Sequence, residues 1–133
     1  MSYTPQQNGV AERKNRTFIE MVNSMLYESG ISENLWTEAL LSACHILNRI
    51  TSRNHDASPY ELWNNRKPNI NYFKVWGCLA HVRLPDKHLI KIGYRGVDCV
   101  FIGYSQTSKA YRFLNLETPS PHTIIESLHA NFF

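Results

Sequence analysis

Residues 3–16 read Tyr-Thr-Pro-Gln-Gln-Asn-Gly-Val-Ala-Glu-Arg-Lys-Asn-Arg. One carboxylate, Glu12, stands there among amides, a glycine and three cations, Arg13, Lys14 and Arg16. If the stretch is helical, Arg16 and Glu20 rise above Glu12 at i+4 steps, Arg13 flanks that face and Lys14 points further away. A carboxylate with cations beside it suits a hard divalent ion held close to a phosphate. Two such ions about 3.5–4 Å apart activate a nucleophile and stabilise a leaving oxygen in phosphoryl transfer. The same residues also have an ordinary meaning. Glu near a helix start is favoured by the macrodipole, and Arg at i+4 is its common partner. On spacing alone the ordinary reading is the stronger, because short motifs discriminate weakly.

The elements that must position Glu12 follow from periodicity. Phe18, Met21, Val22, Met25 and Leu26 form one apolar stripe, which predicts a helix over 9–29. Asn8 is the expected N-cap and Gly30 the expected C′ residue. A second helix is predicted over 32–50, with Trp36, Ala39, Leu40, Ala43, Leu47 and Ile50 on its stripe. Ser58-Pro59-Tyr60-Glu61 is a capping box with Pro at the first helical position, so a short helix should run to about Asn65. Arg66-Lys67-Pro68-Asn69 breaks it and sets a boundary between residues 1–68 and 69–133. Beyond it, 75–82, 97–104, 110–116 and 123–126 read as strands. Gly93, Gly96, Gly103 and Pro119-Ser120-Pro121 supply turns, which suggests a small barrel.

Composition bounds the rest. The 133 residues are 43% hydrophobic and 19% charged, enough to bury a core and too apolar for a disordered chain. A formal net charge of +3 does not by itself imply nucleic acid, because binding asks for clustering. Partial clusters exist at Arg13-Lys14-Arg16, at Arg66-Lys67 and at Lys87, Lys91 and Arg95. Cys44, Cys78 and Cys99 are odd in number and form no CxxC, so they read as reduced, buried thiols of an intracellular protein. No signal-peptide pattern follows Met1, and no apolar run approaches a membrane span.

Pro5-Gln6-Gln7-Asn8-Gly9-Val10-Ala11-Glu12-Arg13 resembles the third-carboxylate motif of retroviral-type integrases, most closely that of copia-type retrotransposon polyproteins. The resemblance continues in order. It runs through Leu35-Trp36-Thr37-Glu38-Ala39, Asn48-Arg49, Ser58-Pro59-Tyr60-Glu61-Leu62-Trp63, Val75-Trp76-Gly77-Cys78, Phe101-Ile102-Gly103-Tyr104-Ser105, Lys109-Ala110-Tyr111-Arg112-Phe113 and Ile124-Ile125-Glu126-Ser127. It implies an α+β chain: a helical C-terminal remnant of a ribonuclease-H-like integrase core, then a small antiparallel β-barrel of the Src-homology type. It also implies a parent that inserts element DNA into target DNA by polynucleotidyl transfer, with Mg²⁺ or Mn²⁺ held by two aspartates and a glutamate. Carried over by position, Glu12 is the catalytic and metal-binding glutamate. Tyr3, Gln6, Gln7, Asn8 and Gly9 fall in the flexible loop that meets DNA, and Arg13, Lys14 and Arg16 fall beside DNA. The implied partners are DNA (element ends and target) and other integrase subunits, with no membrane. The implied location is the nucleus, although Arg66-Lys67 is too short for an import sequence.

One departure from the family pattern matters most. Eleven residues precede Glu12 and none is Asp; Asp56, Asp86 and Asp98 all lie downstream. The expectation is a truncated piece that is inactive alone and binds no metal, because one acid cannot replace several anionic ligands. The alternative is a non-catalytic module that holds nucleic acid or an integrase subunit, and a reading frame without a selected role stays open beside both. The first two helices would lack the sheet they cover, leaving their stripes exposed or repacked.

Other constellations are weaker. Cys78 and His81 are spaced like half a zinc site, yet a strand puts them on opposite faces and no second pair follows. The six histidines form no triad pattern with Ser or Cys and an acid. Trp36, Trp63 and Trp76 are expected in the core. Tyr94, Tyr104 and Tyr111 with Lys91, Arg95, Lys109 and Arg112 offer an aromatic-basic surface for nucleic acid, against the more ordinary reading of a solvated barrel face.

Overall fold

The computed structural model describes residues 5–52, 55–83, 96–116 and 123–133, and the side chains of residues 5–7 are not among what it describes. The chain divides into two compact units, Met1–Pro68 and Asn69–Phe133.

The first unit is helical. Helix α1 spans Pro5–Ser29, four residues longer at its start than the apolar stripe requires. Proline at the first helical position explains the earlier start, since its fixed φ is ready for a helix and its missing N–H costs nothing there. Asn8 is therefore inside α1 and is not its N-cap. The segment expected as a flexible loop before Glu12 is likewise helical from Pro5 onward. Gly30 ends the helix in the left-handed region, φ 68°, with its N–H on the Leu26 carbonyl at 3.1 Å. Glycine takes that conformation at the least cost.

Ser32 caps a 3₁₀ turn, Glu33–Leu35, which runs into α2, Trp36–Leu47. Helices α1 and α2 pack on each other. The buried side chains of this unit are small: Val22, Ala39, Ser42, Ala43 and Ser58. Trp36 does not join them and is 53% exposed. Ala39, Ser42 and Ala43 occupy one side of the α2 stripe, so Trp36 is left at the stripe's edge in the first turn. Periodicity names a face but does not supply a partner wide enough to cover it. Helix α3, Pro59–Asn64, starts on Ser58, whose Oγ accepts the Glu61 N–H at 3.2 Å, and closes on Asn65 in the left-handed region. The Tyr60 N–H donates to the Asn48 carbonyl at 2.7 Å and ties α3 to the end of α2. Leu62 and Trp63 project from this short helix, Trp63 at 88% exposure, so Trp63 also contradicts the core expectation.

The second unit is a five-stranded antiparallel sheet: β1 Leu79–Arg83, β2 Gly96–Tyr104, β3 Tyr111–Asn115, β4 Ile124–Ser127 and β5 Ala130–Phe132, in the order β4-β3-β2-β1-β5. Sequence patterning missed β5. It also began the first strand too early, because Val75–Gly77 turns instead, with Gly77 at φ 86°. Gly96 opens β2 and is not a turn residue.

The order constrains the shape. Strands β4 and β5 are the two edges, yet only Leu128 and His129 separate them in sequence. A flat sheet would put its edges roughly 19 Å apart. Three residue steps reach roughly 11 Å at most. The sheet must therefore curl until its edges approach, as a small barrel does.

Inside the curl sit Ala80, Val82, Cys99, Phe101 and Phe113, all fully buried. Tyr104, Tyr111 and Phe132 stack edge-on around Phe101 with ring centroids 5.3–5.9 Å away. Such pairs add about 0.5–1.5 kcal/mol each beyond their area. A bulge between Phe101 and Gly103 leaves Ile102 as the extra residue of β2. The buried Trp76 indole donates to the Ile102 carbonyl at 2.8 Å, so this tryptophan is core as expected.

Candidate functional site

Glu12 lies about two turns into α1, beyond reach of the first-turn dipole, and is exposed. Its Oε1 accepts the Asn8 Nδ2–H at 3.2 Å, one helical turn earlier. Glu12, Asn15, Arg16, Ile19 and Glu20 line one open groove. At about 100° per residue, Arg16 stands some 40° from Glu12 around the helix, Arg13 about 100° and Lys14 about 200°. Arg16 thus shares the Glu12 face, Arg13 flanks it and Lys14 turns away. All three cations are exposed. The face that packs toward α2, with Phe18, Met21, Val22 and Met25, lies roughly opposite.

Of the other residues expected to meet DNA, Tyr3 is outside the described residues. Gln6 and Gln7 are on the helix, but their side chains are outside what is described. Lys91, Tyr94, Arg95 and Asp86 are outside it too. The described aspartates, Asp56 and Asp98, are exposed, and Asp98 belongs to β2 of the other unit.

The groups around Glu12 do not fit a resident Mg²⁺. Among the described residues no three His, Cys, Asp or Glu side chains converge on one point. Glu12 is bonded to an amide donor and neighboured by Arg16, whereas Mg²⁺ asks for an octahedron of oxygens. What this face does offer is a carboxylate held by Asn8, with Arg16 and Glu20 along the same groove of the helix.

The aromatic-basic surface does not assemble from its described members. The Tyr111 hydroxyl donates to the Tyr72 carbonyl at 2.7 Å, and the Tyr104 hydroxyl accepts the Lys74 N–H at 3.4 Å. Both rings pack in the sheet core, and burial pushes the Tyr104 phenol up to about 12. Cys78 precedes β1, burial pushes its thiol up, and among the described residues no three His, Cys, Asp or Glu side chains converge there. The cysteines are free thiols, but only Cys99 is fully buried; Cys44 and Cys78 are half-buried.

Sequence reasoning missed a second polar site on the sheet. His81 Nδ1 and Asp98 Oδ1 are 2.9 Å apart. They are distant in sequence, and only the β1–β2 register, His81 opposite Asp98, joins them. No local motif could have signalled that pair.

Residues 78–133 match the family model of the retroviral polymerase SH3-like domain. The five-stranded antiparallel sheet of the second unit is consistent with such an SH3-like β domain. The whole chain is similar to Pol polyproteins of plant retrotransposons. It is 38% identical over 110 residues to the retrovirus-related Pol polyprotein from transposon TNT 1-94 of Nicotiana tabacum, covering 82% of this chain and 8% of that protein. It is 31% identical over 131 residues to the Pol polyprotein from transposon RE2 of Arabidopsis thaliana, covering 98% and 9%. It is 32% identical over 117 residues to that from transposon RE1 of the same plant, covering 87% and 8%. No solved structure matches. These similarities support a copia-type Pol fragment, and the chain spans less than a tenth of the length of these curated relatives.

Proposed function

We propose that this chain is the part of a copia-type integrase that carries the third catalytic carboxylate, Glu12, and the SH3-like domain that follows it. In this reading the first unit is the helical end of a ribonuclease-H-like core. The parent joins element DNA to target DNA by metal-dependent polynucleotidyl transfer in the nucleus. The chain supplies Glu12 to that reaction, and the companion aspartates come from another stretch of polypeptide. Gln6, Gln7, Asn8, Arg13 and Arg16 position DNA phosphates, Asn8 also fixing the Glu12 carboxylate. The observation that carries this reading is that similarity to a Pol polyprotein runs through 98% of the chain, both units together.

The apolar surface of the helical unit supports it. Val10, Ile19, Trp36, Leu41, Leu62 and Trp63 are all exposed large apolar side chains of this unit. A missing sheet would account for them.

The test splices this chain in place of the matching stretch of an integration-competent copia-type Pol protein and measures strand transfer. The chimaera should join DNA, and Glu12→Gln should lower joining by at least ~100-fold, as loss of a group acting in phosphoryl transfer does. Joining that is indifferent to Glu12→Gln contradicts the assignment. The same assay on the chain by itself should give no joining. The alternative of a non-catalytic binding module predicts that Glu12→Gln keeps or slightly raises DNA affinity without any other consequence.

A further inference from the structure

The outer face of the curled sheet carries an open cavity, edged by polar side chains, that the integrase reading does not use. Along β1, Ala80 and Val82 point into the core, so His81 and Arg83 stand on the opposite face. His81 lies opposite Asp98 of β2 and Asn131 of β5, which sets the three side chains in one row across three strands. Arg83 lies opposite Gly96 one rung further on, and His129 precedes β5 on the other side. His81, Arg83, Gly96, His129, Ala130 and Asn131 line an open hollow of about 320 Å³. That is within the range of small-ligand pockets, ~300–1,000 Å³.

Three features give this cavity one preference. Among the described residues its lining holds a guanidinium, two imidazoles and a carboxamide, and no carboxylate. The nearby carboxylate, Asp98, is engaged with His81 Nδ1, which fixes the ring's orientation. Gly96 makes room for that ring: a Cβ there would lie 2.5 Å from His81 Nε2 and 2.8 Å from the Val82 carbonyl oxygen. The Nε2 edge of His81 is thereby held over the Gly96 backbone. Ser127 shapes the other wall, its Oγ donating to the His129 carbonyl and accepting the His129 N–H, both at 3.1 Å.

Donors of this kind converging from three strands suit an anion with several acceptor oxygens. We infer that this cavity on the β2-β1-β5 face binds a phosphate group, with Arg83, His129 and the Asn131 amide as ligands and His81 held in place by Asp98. The group can be a free phosphate or a phosphodiester of nucleic acid. The inference does not depend on Glu12 having any role.

The test is a titration of the full ¹⁵N-labelled chain at about pH 6.5, where an ordinary histidine is half protonated. The probes are inorganic phosphate and, separately, a short DNA duplex, each at ionic strength matched with chloride. The Gly96, Ala130 and Asn131 amides should shift saturably with phosphate. Arg83→Gln and His129→Gln should each weaken binding about fivefold or more, as loss of a charge-assisted donor does. Both side chains are exposed, so the core amides of Phe101 and Phe113 should stay in place and show that the fold is kept. If the duplex shifts the same amides and phosphate competes with it, the source is a nucleic-acid backbone. If the duplex leaves them still while phosphate shifts them, the source is a free phosphate. Absence of a saturable shift with either probe overturns the inference, and so do equal affinities in both variants.

Discussion

Adding one methyl group should have opposite effects at two glycines. Gly9 lies inside α1, and a Cβ added there would have nothing within 4 Å, so Gly9→Ala meets open solvent. The exchange removes backbone freedom from the unfolded chain and should stabilise the helical unit by about 0.5–1 kcal/mol. Gly96 is different. Its added Cβ would stand 2.8 Å from the Val82 carbonyl oxygen and 2.5 Å from His81 Nε2. The first distance is roughly 0.7 Å short of ordinary contact and belongs to backbone, so β1 must shift against β2. Overpacking of this kind costs about 1–3 kcal/mol. With a urea slope near 1 kcal/mol per molar for a unit this small, the midpoint should rise by ~0.5–1 M for Gly9→Ala and fall by ~1–3 M for Gly96→Ala. Urea titrations should be followed on the Ala43 amide for the helical unit and the Phe113 amide for the sheet. A Gly96→Ala chain as stable as the parent would refute the close packing of β1 on β2. A destabilised Gly9→Ala chain would refute an α-helix running through the residues before Glu12.

Two further perturbations probe the helical unit. Ser58→Ala removes the buried hydroxyl that accepts the Glu61 N–H, and should cost ~1 kcal/mol, read as a lower urea midpoint at the Ala43 amide. Burial, with Arg49 adding to it, holds His45 down from 6.5 to about 4. A histidine held low favours its neutral form in the folded state. Its contribution is therefore full above pH 6.5 and is lost as pH falls toward about 4. Allowing for a ring that still meets solvent, the helical unit should lose roughly 1–2 kcal/mol across that window. His45→Gln should flatten the pH profile, and an unchanged slope would contradict the assignment.

What was legible in the sequence was whatever is encoded locally. The Ser58 capping box, the Gly30 terminus and the strand patterns around Phe101 and Phe113 depend on neighbours within a few residues, and the structure shows each of them. What was not legible depends on partners distant in the chain. Trp36 and Trp63 sit at helix positions that read as apolar, but burial needs a covering element, and the helical unit supplies little. Strand β5 is three residues long and exists only because β1 offers it an edge. The His81–Asp98 pair is made by register, and a register cannot be read from either residue alone. Tyr104 and Tyr111 are polar-tipped rings whose hydroxyls find backbone partners more than 25 residues away, which packs both rings partly against the core. For Glu12 the similarity to Pol polyproteins extends through its helix, while a role for the carboxylate depends on groups that this helix does not supply.

The central claim is that Glu12 is one member of a metal site completed by another stretch of polypeptide. Manganese binding to the purified chain, followed by paramagnetic broadening of the Asn8, Glu12 and Arg16 amides, tests it most directly. The account predicts only weak, unsaturated broadening up to millimolar metal, little changed by Glu12→Gln. Saturable micromolar binding centred on Glu12 and abolished by Glu12→Gln would contradict it.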